Sequence, residues 1–307
     1  MKLEYCRSET YNFGDDLNIW LWPKILGDIF DESSDEYFIG IGTLLTEKRI
    51  YKQLKDAKKI IIFSSGAWDE DIPILDERCH VVGVRGPRTA QKLNLDSSFV
   101  VGDGAYLLRK VDIKRDHNIP NCDIGFIPHH RSEDFIDWRI VCEKVGIKFI
   151  SPKQPVDDFL ADVLSCNKII TEAMHGAIVA DALRIPWVGA KFSPAFNEEK
   201  WYDFTESMDI KLSIHTLPFM SQKKMPIGKL IENYIKRKIN DVFSFSPKWG
   251  RLPIITKIAN DNDLYLLGKK IIELDSVNNY TLSENDKVEA VTRKLYKKAM
   301  EIKEKHT

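Results

Sequence analysis

Short apolar runs that end in turn residues and lead into amphipathic stretches recur along most of this chain. That succession leaves few folds open. KIIIFSS (59–65), CHVVGVR (79–85) and KIIT (168–171) lack polar alternation, as expected of strands covered on both faces. KLEYC, YFIGI and SFVVGD complete a first series of strands, with helices read in DLNIWLWPKILGDIF, EKRIYKQLKDA and PRTAQKLNL. CDIGFI, IKFIS, KIIT and PWVGAKF form a second series, separated by SEDFIDWRIVCEKVG, VDDFLADVLSC and GAIVADALR. Strands alternating with helices predict parallel sheets and an α/β fold.

With 307 residues, two domains are the expectation. The reading places an N-terminal Rossmann-like domain at 1–112 and a linker at 113–121, within charged, proline-bearing KVDIKRDHNIPNC. A C-terminal Rossmann-like domain follows at 122–215, then a helical extension at 216–307. In that extension IGKLIENYIKRKINDVF and SENDKVEAVTRKLYKKAMEIKEKH read as helices.

A formal net charge of -1 argues against a nucleic-acid binder held by bulk charge. The amino-terminal stretch lacks the apolar core of a secretion signal, and no apolar run approaches the ~20 residues of a membrane span. Five scattered cysteines, none paired as CxxC, read as reduced thiols. A cytoplasmic protein is expected, either free or at the inner face of the membrane, with at most peripheral membrane contact. No metal is expected, because no ligand cluster has recognisable spacing. The dinucleotide GxGxxG, the phosphate-binding GxxxxGK[ST], HExxH and GxSxG are all absent.

In open parallel sheets the loops after the carboxyl ends of strands line the ligand crevice. Three such turns carry chemistry. In SETYNFGDDLNIW, Asn12 and Gly14 suit a tight loop, and Asp15 and Asp16 begin a helix. Capping accounts for at least one of those carboxylates, and both would accept hydrogen bonds from sugar hydroxyls while repelling phosphate. CDIGFIPHHRSEDF brings His129, His130 and Arg131 to a strand end. KIITEAMHGAIVADALR places Glu172, His175 and Gly176 between a strand and a helix. There a glycine would let a ligand approach closely, and free N–H groups would receive an anion. Arg85, directly after its strand, and Lys191 are further candidate cations, whereas Gly102 and Asp103 read as turn chemistry. Trp68, Trp187 and Trp201 suit core or rim packing, with stacking on a sugar as the alternative.

These turns, in this order, resemble the polysaccharide pyruvyl transferase family. The resemblance runs through NFGDDLN, FIGIGTLL, VRGPRTAQKL, VVGDGAYLL, GFIPHH, TEAMHGAIVADALRIPWV and KWYDFTES, roughly residues 10–207. It implies two Rossmann-like domains facing across a cleft, similar to the glycosyltransferase-B architecture. It also implies phosphoenolpyruvate as co-substrate, no resident cofactor, and a saccharide acceptor, free or lipid-linked, that receives a pyruvate ketal. Many members carry an arginine two residues before the histidine of TEAMHGA, where this chain has Ala173.

On that reading His175 is the general acid and Glu172 sets its tautomer and raises its pKa. His129, Arg131, Arg85, Gly176 and Lys191 meet the donor, and Asn12, Gly14, Asp15 and Asp16 meet the acceptor. Two other functions stay open: a nucleotide-sugar glycosyltransferase on the same scaffold, and a non-catalytic sugar-binding protein of the pathway.

Overall fold

Ile60, Ile61, Ile62 and Phe63 are all buried, which is why their strand shows no polar alternation. The structure, a computed structural model, describes residues 1–307 except 8, 9, 69, 117, 277–279, 307 and the side chain of Ser276. Residue 117 of the expected linker therefore lies outside the described residues.

The first lobe contains β1 (Lys2–Glu4), α1 (Phe13–Leu26), β2 (Glu36–Ile39), β3 (Lys59–Ser65), β4 (Cys79–Val84) and α2 (Pro87–Lys92). The second contains β5 (Cys122–Ile127), α3 (Trp138–Glu143), β6 (Lys148–Phe149), α4 (Val156–Leu164), β7 (Cys166–Thr171), α5 (Met174–Ala182), β8 (Trp187–Lys191), α6 (Glu198–Ser207) and β9 (Ile214–Thr216). The chain then continues through α7 (Ile227–Phe243), α8 (Pro247–Gly250), α9 (Asp261–Ser276) and α10 (Asn285–Glu304).

Both sheets are parallel throughout. The four-stranded sheet runs β1-β2-β3-β4 and the five-stranded sheet runs β6-β5-β7-β8-β9. The second order reverses direction between β5 and β7, so the turns after those two strands flank a topological switch point, where open α/β sheets bind ligands. SFVVGD, expected as a strand, makes only an isolated bridge from Val100 to Val84. Gly102 at φ +94 turns the backbone away, and Asp103 then caps a 3-10 helix over Gly104–Lys110 by accepting from Ala105 N at 3.0 Å.

The lobes share one apolar core. Phe13 of α1 stacks on Phe159 of α4 with ring centroids 3.8 Å apart, and Phe13 N donates to Pro152 O at 2.9 Å. The buried Asp181 of α5 accepts from Tyr106 of the first lobe at 2.7 Å and from Ser283 N, just before α10, at 2.8 Å. Helix α10 returns to the first lobe, where Val291, Leu295, Ala299 and Ile302 join the core that contains Leu21, Trp22 and Tyr106. The mostly polar final helix is thus a wall of the first lobe, with its apolar residues on one stripe. Helix α6 also crosses back. Arg88 of α2 pairs with Glu199 and Glu206, both at 2.7 Å, and Arg85 pairs with Asp203 at 2.9 Å. Among the described residues, no helix is long and apolar enough to cross a membrane.

Candidate active site

The turns after β5, β7 and β8 are tied together by one carboxylate. Glu172, 1% exposed, accepts from His129 N (3.0 Å), Phe192 N (3.2 Å) and Ser193 N (2.7 Å). This corrects the expectation that Glu172 orients His175, since its acceptor capacity is spent on backbone donors of the neighbouring turns. Burial raises the Glu172 pKa, and the Ser132 hydroxyl, followed by the three amides, opposes that shift by stabilising the charged form. Gly176 also differs from expectation. A Cβ there would lie 2.5 Å from Thr171 Oγ1 and 3.1 Å from Ile127, so the glycine serves close packing of α5 on the strand ends.

His175 projects from the first turn of α5 into the seam between the lobes. Its Nε2 lies 3.8 Å from Asp103 Oδ2, and neither atom has a hydrogen-bond partner among the described residues. Such buried polar atoms are uncommon, and 3.8 Å is within a small movement of a hydrogen bond. Catalytic hydrogen bonds are often long before substrate binds. The other side of the ring rests on Gly14: a Cβ built there would come within 2.3 Å of Nδ1. Burial holds the His175 pKa below 6.5, the Asp103 charge pulls it up, and Arg85 and Lys200 push it down. The carboxylate that faces this histidine is therefore Asp103, which the sequence reading had assigned to the turn.

Gly14 consequently makes room for the imidazole. Gly14→Ala should displace the ring and lower kcat by roughly 10²-fold, the scale expected for a misplacement of about 1 Å. Alanine is the better helix former, so loss of rate without loss of unfolding temperature is the expected signature. An unchanged kcat would show that this contact does not position His175.

The two carboxylates at the start of α1 have separate jobs. Asp16 Oδ2 accepts from Asn12 N at 2.8 Å and closes the helix terminus. Asp15 accepts from Asn12 Nδ2 at 2.5 Å, and burial pushes its pKa from 3.8 up to about 6. Across the seam the His129 and His130 rings lie 4.2 Å apart. Burial holds His129 well below 6.5. His130 falls to about 4 through burial and the charges of Arg131 and Lys153. His129 Nδ1 accepts from Arg131 N at 3.3 Å, which leaves Nε2 as the donor of the neutral ring.

The candidate cations divide. Arg131 is exposed beside the two histidines. Arg85, expected to face the donor, is fully buried instead. Its Nε donates to Asp203 at 2.9 Å and its Nη1 to Thr43 Oγ1 at 3.1 Å, so its charge is met inside the protein. Lys191 lies at the carboxyl end of β8 and pairs with Glu198 at 2.8 Å.

The polysaccharide pyruvyl transferase profile matches residues 7–190, more than half of the chain. The chain belongs to this family. It is 29% identical over 238 residues to the succinoglycan biosynthesis protein ExoV of Rhizobium meliloti (strain 1021), covering 74% of this chain and 71% of that protein. It is also 29% identical over 153 residues to the uncharacterized protein L143 of Acanthamoeba polyphaga mimivirus, covering 44% and 50% of the respective chains. No solved structure matches.

One cation of this pyruvyl transferase escaped the sequence reading. Lys200 of α6 lies with its Nζ 3.9 Å from the Trp68 ring centroid, and its charge acts on Asp15, His129, His130 and His175. It thus addresses both sides of the seam. Its signal was present in KWYDFTES, but only the long-range docking of α6 brings it to the site. The tryptophans separate by the same geometry: Trp187 and Trp201 are each 2% exposed and serve the core, while Trp68 is half-buried beneath Lys200.

Proposed function

We propose that the protein transfers the pyruvyl group of phosphoenolpyruvate to a sugar of an exported polysaccharide or its lipid-linked precursor, closing a pyruvate ketal across two hydroxyls. The family supplies the reaction class, and the acceptor class follows from the relative named for succinoglycan biosynthesis. The observation that carries the chemistry is His175. It lies between Asp103 and Gly14, and the charge of Lys200 acts on it as it does on His129, His130 and Asp15.

The donor brings a carboxylate and a phosphate whose second pKa is about 6, so close to three negative charges must be met. Arg131, Lys200, the His129 Nε2–H and the N–H groups opening α5 supply that field and take the place of the arginine replaced by Ala173. The same negative charge raises the His175 pKa toward the protonated form. Imidazolium Nε2–H then donates to Asp103, which leaves Nδ1–H, on the α1 side, as the proton to be transferred.

His175 protonates the methylene carbon, and C2 develops oxocarbenium character. Asp15 accepts the proton of the attacking sugar hydroxyl. The C–O bond to phosphate breaks, and the second hydroxyl closes the ring. In the balance one hydroxyl proton ends on the new methyl group and the other on phosphate.

Incubating the protein with phosphoenolpyruvate and galactosides or N-acetylhexosamine glycosides should release phosphate and leave a ketal on the sugar. Thermal stabilisation by nucleotide sugars, with none by phosphoenolpyruvate, would overturn this reading. The pH dependence gives a second check. Asp15 is a base only when ionised, so kcat/KM should fall as pH drops through about 6, and Asp15→Asn should remove activity above that value. An acidic limb near the ordinary carboxylate range of ~4 would exclude Asp15 as the base.

A further inference from the structure

Helix α7 displays an apolar stripe that the protein does not cover. Its one buried residue is Asn233, whose Nδ2 donates to Pro253 O at 2.8 Å. Ile227 (67%), Ile231 (53%), Tyr234 (52%), Ile235 (50%) and Val242 (72%) are exposed. At 3.6 residues per turn these five fall within an arc of about 100° on the side away from Asn233. The helix ends in Ser244 at φ +49, and Phe243, Phe245 and Trp249 form an aromatic turn there, with the last two rings stacked at 5.8 Å.

Charge sets this segment apart. Residues 223–251 contain eight Lys and Arg (223, 224, 229, 236, 237, 238, 248, 251) and two acidic residues (232, 241), a net charge of +6 in a chain of net -1. Arg237 borders the stripe, whereas Lys229 and Lys236 lie on the side of Asn233 and pair with Glu232. Lys238 rises through the stripe on a stem long enough to carry its ammonium to a polar boundary. The acidic groups facing the segment are Glu232, which pairs with Lys229 and Lys236, Asp241, and Glu70 of the first lobe. Glu70 accepts from Ser246 Oγ at 3.2 Å and pairs with Lys248 at 3.3 Å, which fixes the hairpin beside the loop carrying Trp68 and hence beside the seam.

We propose that the α7–α8 hairpin is a docking surface for an anionic phospholipid bilayer. An apolar stripe that carries Lys238 and is bordered by Arg237, with aromatic side chains at its end and a segment charge of +6, matches an anionic bilayer interface. Symmetric pairing with a second copy would set two segments of charge +6 against each other, which disfavours a dimer through this face. The placement deepens the reading above, on which it rests in this respect alone: a lipid-linked acceptor would reach the seam from the surface that α7 grips.

Co-sedimentation tests the proposal on the full chain. Vesicles of mixed phosphatidylglycerol and phosphatidylcholine should carry the protein down, vesicles of phosphatidylcholine alone should not, and added salt should weaken binding. Ile231→Ser/Ile235→Ser and Arg237→Gln/Lys238→Gln should each lower partitioning about tenfold or more. Both should keep the wild-type unfolding temperature, since α7 buries only Asn233. Three outcomes would overturn it: no binding to anionic vesicles, equal binding to both vesicle types, or a solution dimer that Ile231→Ser/Ile235→Ser dissociates. Vesicle binding is read without donor or acceptor, so its failure and the failure of pyruvyl transfer are separate results.

Discussion

Replacing His175 with alanine should slow turnover by about 10²–10⁴-fold, the usual contribution of a positioned proton donor. The native far-UV spectrum should persist, because the ring's Nε2 makes no hydrogen bond among the described residues. The companion variant Asp103→Asn keeps the shape of the pair and removes its charge. That charge lifts the His175 pKa against burial, so its loss must lower the pKa further. A general acid acts in its protonated form, so the rate falls as pH rises through its pKa. In Asp103→Asn that fall should begin at lower pH, while the acidic limb set by Asp15 stays in place. His175→Ala at near wild-type rate would remove this residue from the mechanism. An unshifted alkaline limb in Asp103→Asn would remove Asp103 as its partner.

The second large effect concerns stability. Asp203→Ala should cost about 3–5 kcal/mol, the range found when one partner of a buried ion pair is deleted. Its side chain is 4% exposed and Arg85 is 1% exposed, so the guanidinium would be left without a countercharge. Thr89 would lose the acceptor for its N–H and hydroxyl, both at 2.8 Å. A Cβ on Gly86 would lie 2.0 Å from Asp203 O, so the backbones already touch and no neighbour can collapse into the gap. The double variant Arg85→Met/Asp203→Leu should recover the part of the loss due to the unpaired guanidinium, while Thr89 stays without its acceptor. Urea unfolding of the three proteins measures this. A cost below ~1 kcal/mol in Asp203→Ala would mean that water reaches the pair and screens it.

Much of the architecture was legible because strands covered on both faces leave unbroken apolar runs such as KIIIFSS and KIIT. Elements set by contacts distant in sequence were not. Strand β9 has three residues, IHT, and exists because β8 offers it a free edge. Helix α6 reads EEKWYDFTES, too polar for a periodicity argument, and is fixed by α2. Helix α9 did carry a pattern, in Leu264, Leu267, Ile271 and Leu274, which pack on the second lobe.

The site divides in the same way. His129, Arg131, His175 and Asp15 can be named as candidates from sequence because strand ends and helix starts are local features. The partnerships cannot: Glu172 serves three turns that converge only in the folded sheet, and Asp103 meets His175 only across the seam. The burial that moves Asp15 to about 6 is likewise a property of the folded surroundings.

Helix α10 closes the first lobe by inserting Val291, Leu295, Ala299 and Ile302 beside Trp22 and Tyr106. A chain leaving the ribosome normally completes its leading domain first. Here the leading sheet must wait, one side still uncovered, until residues 285–304 have been translated. The order of synthesis and the order of consolidation therefore run in opposite senses.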